Sequence, residues 1–75
     1  MTPQEVEEKI IELKHREPFA PFIVEMDNGQ SIEVHYPNLA IAGTGAGFID
    51  HEGALVDIDF KKVRAIRLVD AAEMA

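Results

Sequence analysis

The chain of 75 residues contains no cysteine, no tryptophan and a single serine, Ser31. Without cysteine, no disulfide and no thiolate-bound metal can support the fold. The sequence also offers no nucleophile with a base and an orienting group at a recognisable spacing. These absences predict a protein that is not an enzyme and that carries no cofactor.

Basic residues are also scarce, with seven Lys and Arg against fourteen Asp and Glu and a net charge of −7. This balance disfavours nucleic acid and anionic membranes as partners, because both bind through Lys and Arg that neutralise phosphates, although it does not exclude nucleic acid. No apolar run approaches the roughly 18 residues of a membrane span, so no membrane association is predicted. The acidic N-terminus does not resemble a signal peptide, and cytoplasm is the predicted location.

The length and hydrophobic content predict one folded domain over residues 1–75, with 47% hydrophobic residues. A chain of this size buries only about 60% of its unfolded surface. With neither a disulfide nor a metal to compensate, association with another protein is an efficient way to bury more surface. We therefore expect a homo-oligomer or a protein partner.

The first segment predicts an amphipathic helix over residues 3–16. Thr2 can cap the helix, Pro3 suits its first turn and Glu5 completes a capping box. Pro18 forces the helix to stop. One stripe at helical spacing is predicted to face the core: Val6, Ile10 and Leu13.

The central segment predicts a β-hairpin, because apolar and polar residues alternate on both sides of Asp27-Asn28-Gly29. A two-residue turn would pair Val24 with Glu33 and mix the two faces. A three-residue turn at 27–29 pairs Val24 with Ile32 and Phe22 with Val34, so we predict this register, with Gly29 left-handed at a bulge. The residues predicted to face the core are Phe22, Val24, Met26, Ile32, Val34 and Tyr36.

The remaining chain predicts four more short strands. Together with the hairpin, the strands cover about 21–26, 30–36, 39–42, 47–51, 54–59 and 63–69, with a 3₁₀ turn at 59–62 and a polar tail at 70–75. The predicted fold class is α+β: an N-terminal helix packed on a five- or six-stranded meandering antiparallel sheet that curls toward a partly open barrel.

Three short motifs carry a resemblance to a known group of proteins. Pro-Phe-Ala-Pro-Phe at 18–22, Asp-Asn-Gly at 27–29 and the segment ending at Pro37 resemble the PF-x-PF…DG…HP pattern of small uncharacterised bacterial proteins. The resemblance covers roughly residues 13–69, and Tyr36 here separates His35 from Pro37. It implies further short strands after the motifs and no particular activity. By element order the chain also resembles Sm-like and SH3-like small barrels, which implies a fold only.

Several residue clusters suggest ligand sites, and each has a simpler interpretation. The glycines of 43–47 resemble a phosphate loop, but no lysine or helix follows, which favours a plain turn. His15, His35 and His51 lack metal-ligand spacing, which favours surface histidines over a zinc site. Four acids lie near the fourth and fifth strands: Asp50, Glu52, Asp57 and Asp59. An exposed acidic face is favoured there, with a hard cation such as calcium as the alternative.

The clearest electrostatic feature is a basic segment near the C-terminus. Lys61, Lys62, Arg64 and Arg67 have no acid between them, which leaves three bases against fourteen acids elsewhere. We predict that these four residues form an interaction surface for a protein partner or a second copy of the chain. The alternative is single-stranded nucleic-acid binding through residues 61–67.

Overall fold

A computed structural model of the protein describes residues 1–50 and 52–69, so His51 and the predicted tail 70–75 lie outside the described residues. Over the described residues the chain has one α-helix, six strands and one 3₁₀ helix. These are α1 (Pro3–Lys14), β1 (Phe22–Met26), β2 (Ser31–Val34), β3 (Ala40–Ala42), β4 (Gly45–Ile49), β5 (Leu55–Asp59), the 3₁₀ helix (Phe60–Lys62) and β6 (Val63–Leu68). The α+β class is confirmed.

Helix α1 begins with the predicted capping box. The Thr2 hydroxyl accepts a hydrogen bond from the Glu5 amide, and the Glu5 carboxylate accepts one from the Thr2 amide. The Thr2 amide, and after it the Thr2 hydroxyl, lowers the pKa of Glu5, because hydrogen bonds to the carboxylate favour its ionised form. The helix ends two residues earlier than predicted, because the Arg16 amide bonds to the Leu13 carbonyl and tightens the last turn. The predicted stripe is buried: Val6, Ile10 and Leu13.

The six strands form two antiparallel sheets of three strands each, ordered β2-β1-β6 and β3-β4-β5, whereas the sequence predicted one sheet. The separation falls between β2 and β3, at residues 35–39. Pro37 lies in this segment and has no amide hydrogen to donate, so a hydrogen-bonded ladder is interrupted there.

The β1–β2 hairpin has the predicted register. Val24 pairs with Ile32 and Phe22 pairs with Val34. Gly29 has a φ of +89°, and its amide donates to the Met26 carbonyl across the turn at 3.0 Å. A three-residue turn with a left-handed glycine is therefore confirmed. This register is favoured because it places the apolar residues of both strands on the same face of the sheet.

Two residues depart from the predicted alternation. Tyr36 was expected in the core, but 65% of it is exposed, because β2 ends at Val34 and strand alternation no longer governs the residues beyond. Ile23 occupies an outward position yet is only 5% exposed. It lies between Glu33 and Arg67 on the two neighbouring strands, and both residues have aliphatic stems that can cover apolar surface.

The turn between β3 and β4 is shorter than predicted. Ala42 pairs with Gly45, so the turn contains only Gly43 and Thr44, and β4 begins two residues earlier than expected. Gly43 has a φ of +61°, as the first position of a two-residue turn of type II′ requires. The Thr44 carbonyl also accepts a hydrogen bond from the Phe60 amide at 3.0 Å, which ties this turn to the 3₁₀ helix.

The core lies between the two sheets and is closed by α1. The residues that form it are Val6, Ile10, Leu13, Phe22, Val24, Met26, Val34, Leu39, Ala46, Phe48, Ile58, Phe60 and Val63. Ile58 and Phe60 are each 1% exposed, and the predicted 3₁₀ turn is present. Helix α1 contacts the 3₁₀ helix and β6, so the N-terminal and C-terminal segments pack against each other.

Candidate interaction surface

The predicted basic surface lies at one edge of the first sheet. Lys61 and Lys62 belong to the 3₁₀ helix, Arg64 and Arg67 belong to β6, and all four residues are exposed. Because β6 is the last strand of its sheet, one of its edges has no partner strand among the described residues. The four bases therefore flank a free strand edge.

Glu25 of the central strand β1 lies against this surface. Its carboxylate accepts a hydrogen bond from Arg67 Nε at 3.0 Å and from Arg64 Nη2 at 3.4 Å. Strict alternation would place residues 64 and 67 on opposite faces of a strand. The register shifts between Glu25 and Met26, because Arg64 is an extra, unpaired residue in β6. This β-bulge interrupts the alternation, so both arginines reach the Glu25 carboxylate.

The hydrogen bond from Arg67 and then that from Arg64 hold the pKa of Glu25 below its usual 4.5. Glu25 therefore stays ionised at neutral pH and offsets part of the charge of the two arginines. Among the described residues, Lys61 and Lys62 form no ion pair. The two lysines thus add positive charge that no described acid offsets through an ion pair.

Two of the four acids predicted to lie near β4 and β5 have structural roles. Asp50 Oδ1 accepts hydrogen bonds from the amides of Glu52 and Ala54, each at 2.9 Å, and holds the β4–β5 turn. Asp59 caps the 3₁₀ helix by accepting from the Lys61 amide at 3.0 Å. Within residues 1–50 and 52–69, no three His, Cys, Asp or Glu side chains are grouped as a metal site requires.

The two described histidines have contacts with residues outside this group of acids. His35 is exposed, and its Nε2 lies 2.9 Å from Glu33 Oε2. His15 lies at the C-terminal end of α1, where its ring contacts the Ile11 carbonyl. The residues following the 43–44 turn form a strand rather than a helix N-terminus, as the plain-turn interpretation predicted.

Strand β5 forms the edge of the second sheet and carries the opposite charge. Asp57 and Asp59 point away from the core, and β4 is the only described strand that pairs with β5. Asp57 lies next to Gly47, whose missing side chain leaves a shallow surface of small residues on this face. The protein therefore has an acidic edge on β5 and a basic edge on β6, joined by the 3₁₀ helix.

A second feature, which sequence reasoning missed, is an apolar cleft of about 300 Å³ between the two sheets. Its apolar lining includes Ile32, Phe48 and Val56, which come from three different strands. Glu33 and Asp50 contribute acidic groups to the same cleft. These residues come from separate stretches of the sequence, so no local pattern predicts the cleft. The one local indication is Tyr36, an aromatic residue just after β2 that also lines the cleft.

No protein-family model matches the chain, and no curated protein or solved structure is significantly similar to it. None of the helices in the described part of the chain is long and apolar enough to cross a lipid bilayer.

Proposed function

We propose that this protein is a non-enzymatic interaction domain that assembles with copies of itself, the β6 edge of one copy pairing with the β5 edge of the next. The observation that carries the proposal is the opposite charge of these two edge strands. Both strands end their sheets, so each presents backbone donors and acceptors that a further strand can use.

The side chains favour this pairing over the pairing of like edges. The outward residues Asp57 and Asp59 of β5 would meet Arg64 and Arg67 of β6. Opposite charges facing each other across a strand pair stabilise it, whereas two β6 edges would place arginines against arginines. Glu25 offsets only part of the basic charge, so the β6 edge with the 3₁₀ helix remains net positive.

The proposed contact joins two different surfaces, and it leaves one free β5 edge and one free β6 edge in a dimer. Such a head-to-tail contact closes into a ring or continues as an open chain, depending on the rotation between copies. We therefore expect species larger than a dimer at high protein concentration.

We also propose that the two sheets are halves of one partly open barrel of the SH3-like or Sm-like kind. The short connection between Val34 and Ala40 supports this, since β2 and β3 would then be two parts of a single bent strand interrupted at Pro37. We further propose that the protein belongs to the group of small bacterial proteins with the PF-x-PF…DG…HP pattern. We also propose that it is located in the cytoplasm.

Light scattering coupled to size-exclusion chromatography tests the assembly. The expected result is a mass above the 8.3 kDa of the monomer that grows with protein concentration and falls when salt screens the charges. A monomer that persists at high concentration and low salt contradicts the proposal.

A matched pair of charge reversals tests the role of the acidic edge. Asp57→Lys should weaken assembly, because it places a positive charge opposite the arginines of the next copy. Glu8→Lys makes the same change of charge on the exposed face of α1 and should leave assembly unchanged. Equal effects of both substitutions would show that net charge, rather than the β5 edge, controls association.

Single-stranded nucleic-acid binding is the second candidate function, supported by Lys61 and Lys62, which are exposed and form no ion pair with another described residue. Fluorescence anisotropy with mixed-sequence RNA and DNA at low salt tests it. Binding that is lost on Lys61→Ala combined with Arg64→Ala, and retained on Lys14→Ala, would favour this function. No binding at low salt removes it.

A further inference from the structure

We propose that the apolar cleft between the two sheets receives the Leu68 side chain of a second copy, and that this contact sets the register in which β6 pairs with β5. The inference rests on the proposed self-assembly and specifies which residues of the two edges meet.

Leu68 is an apolar residue on the core side of its strand, and the described part of the fold leaves it partly exposed. It pairs with Phe22, and its neighbour on the same side, Ile66, pairs with Val24. Phe22 and Val24 are fully buried, yet Leu68 is 45% exposed. The reason is topological: β6 ends the sheet, so no described strand lies beyond it to cover this side chain.

The cleft has apolar walls and lies beside the other edge strand, β5. Val56 of β5 lines it from the core side of the second sheet, together with its strand partner Phe48 and with Ile32 of the first sheet. Val56 and Ile32 are half-buried. A strand added to the β5 edge would place its own core-side residues next to this opening.

Matching the core sides of the two strands defines one antiparallel register. Val56 lies opposite Leu68 and Ile58 lies opposite Ile66, so both apolar residues of each strand are paired. The same register places Asp57 opposite Arg67, although charge was not used to derive it. A shift by one residue would set Asp57 against a core-side residue of β6, and a shift by two would keep only one apolar pair within the described strands.

The outer face of the two strands adds a second complementary feature. Arg67 points away from the core side that Leu68 occupies, so it meets Asp57 rather than the cleft. The exposed apolar residue of the helix, Ile11, lacks this match because acidic Glu12 lies beside it.

Cysteine cross-linking tests the register directly, because the chain has no cysteine and only introduced thiols can react. Val56→Cys and Leu68→Cys are made in separate chains, mixed and oxidised. Directly opposed residues bring their Cβ atoms near the separation that a disulfide needs, so a cross-linked heterodimer should form. Val56→Cys mixed with Ile11→Cys is the control and should give no heterodimer above the background of random collisions.

Removal of the leucine tests its energetic part. Leu68→Ser should weaken assembly several-fold, because Leu68 is 45% exposed and only this part of it becomes buried on association. Ile11→Ser removes an exposed apolar residue from α1 and should leave assembly unchanged. Thermal melts of both variants establish that each remains folded.

The outcomes separate this inference from the function on which it rests. Cross-linking of positions 56 and 68 together with loss of assembly in Leu68→Ser supports the inference. Assembly that persists in Leu68→Ser without this cross-link overturns it and leaves self-assembly standing. A protein that is monomeric under all conditions overturns both.

Discussion

Arg67 donates a hydrogen bond from Nε to Glu25 Oε1 at 3.0 Å, although the two residues are 42 positions apart in the chain. The bond joins β6 to the central strand β1, and Arg64 reaches the same carboxylate through the bulge. It therefore ties the C-terminal strand to the middle of the first sheet and reduces the net charge of the basic edge.

Glu25→Gln should lower the stability of the folded protein at neutral pH and flatten its dependence on pH. The pKa of Glu25 is depressed in the folded state, so its contribution is present above the unfolded pKa, near 4.5, and is lost as the pH falls through the lower folded value. Chemical denaturation of both proteins between neutral and acidic pH measures this. Glu7→Gln, which removes a carboxylate from α1, is the control and should retain the acid-dependent loss. A Glu25→Gln protein that loses stability as steeply as the native one below this pKa would contradict the prediction.

Gly29→Ala should cost roughly 1–2 kcal/mol, because φ at this position is +89° and residues with a Cβ atom disfavour this conformation. An added Cβ would meet no atom within 4 Å, so the cost is one of backbone conformation alone. Gly29→Asn should be milder, since asparagine tolerates the left-handed region. Urea denaturation of both variants measures the difference, and equal losses would show that the turn is not left-handed in solution.

Gly45→Ala should destabilise the second sheet for a different reason. A Cβ atom built at this position would lie 2.8 Å from the carbonyl oxygen of Ile58, a backbone atom that cannot rotate away. The substitution must push β4 and β5 apart, so amide hydrogen exchange should accelerate in β4–β5 and remain slow in β1. Ala46→Gly is the control, because it changes the adjacent residue of β4 and creates no such collision. Uniform acceleration across both sheets by Gly45→Ala would point to global unfolding instead.

Phe60→Ala should destabilise the protein strongly, by about 3–5 kcal/mol, because it opens a cavity at a residue that is 1% exposed. A protein of this length has a total stability on the order of 4–11 kcal/mol, so the variant should lose a large fraction of it and melt at a much lower temperature. Tyr36→Ala removes an aromatic residue that is 65% exposed and should change the melting temperature little. A large loss of stability in the monomer of Tyr36→Ala would show that this ring is buried after all.

The local structure of this protein was predictable because its causes lie close together in the chain. Thr2, Pro3 and Glu5 identify the start of α1 through bonds within one turn. The register of the β1–β2 hairpin follows from the alternation around Gly29, since any other pairing exposes half of the apolar residues.

Only the tertiary structure decided what happens where strand patterns end or where distant strands meet. The division into two sheets, the exposure of Tyr36 and the burial of Ile23 all depend on which strands lie on either side of each residue. The shared use of Glu25 by two arginines depends on a bulge that alternation does not reveal. The side-chain pattern of a segment predicts which of its residues share a face of their own strand. Sheet edges, clefts and long-range ion pairs depend instead on which other segments folding places beside that strand.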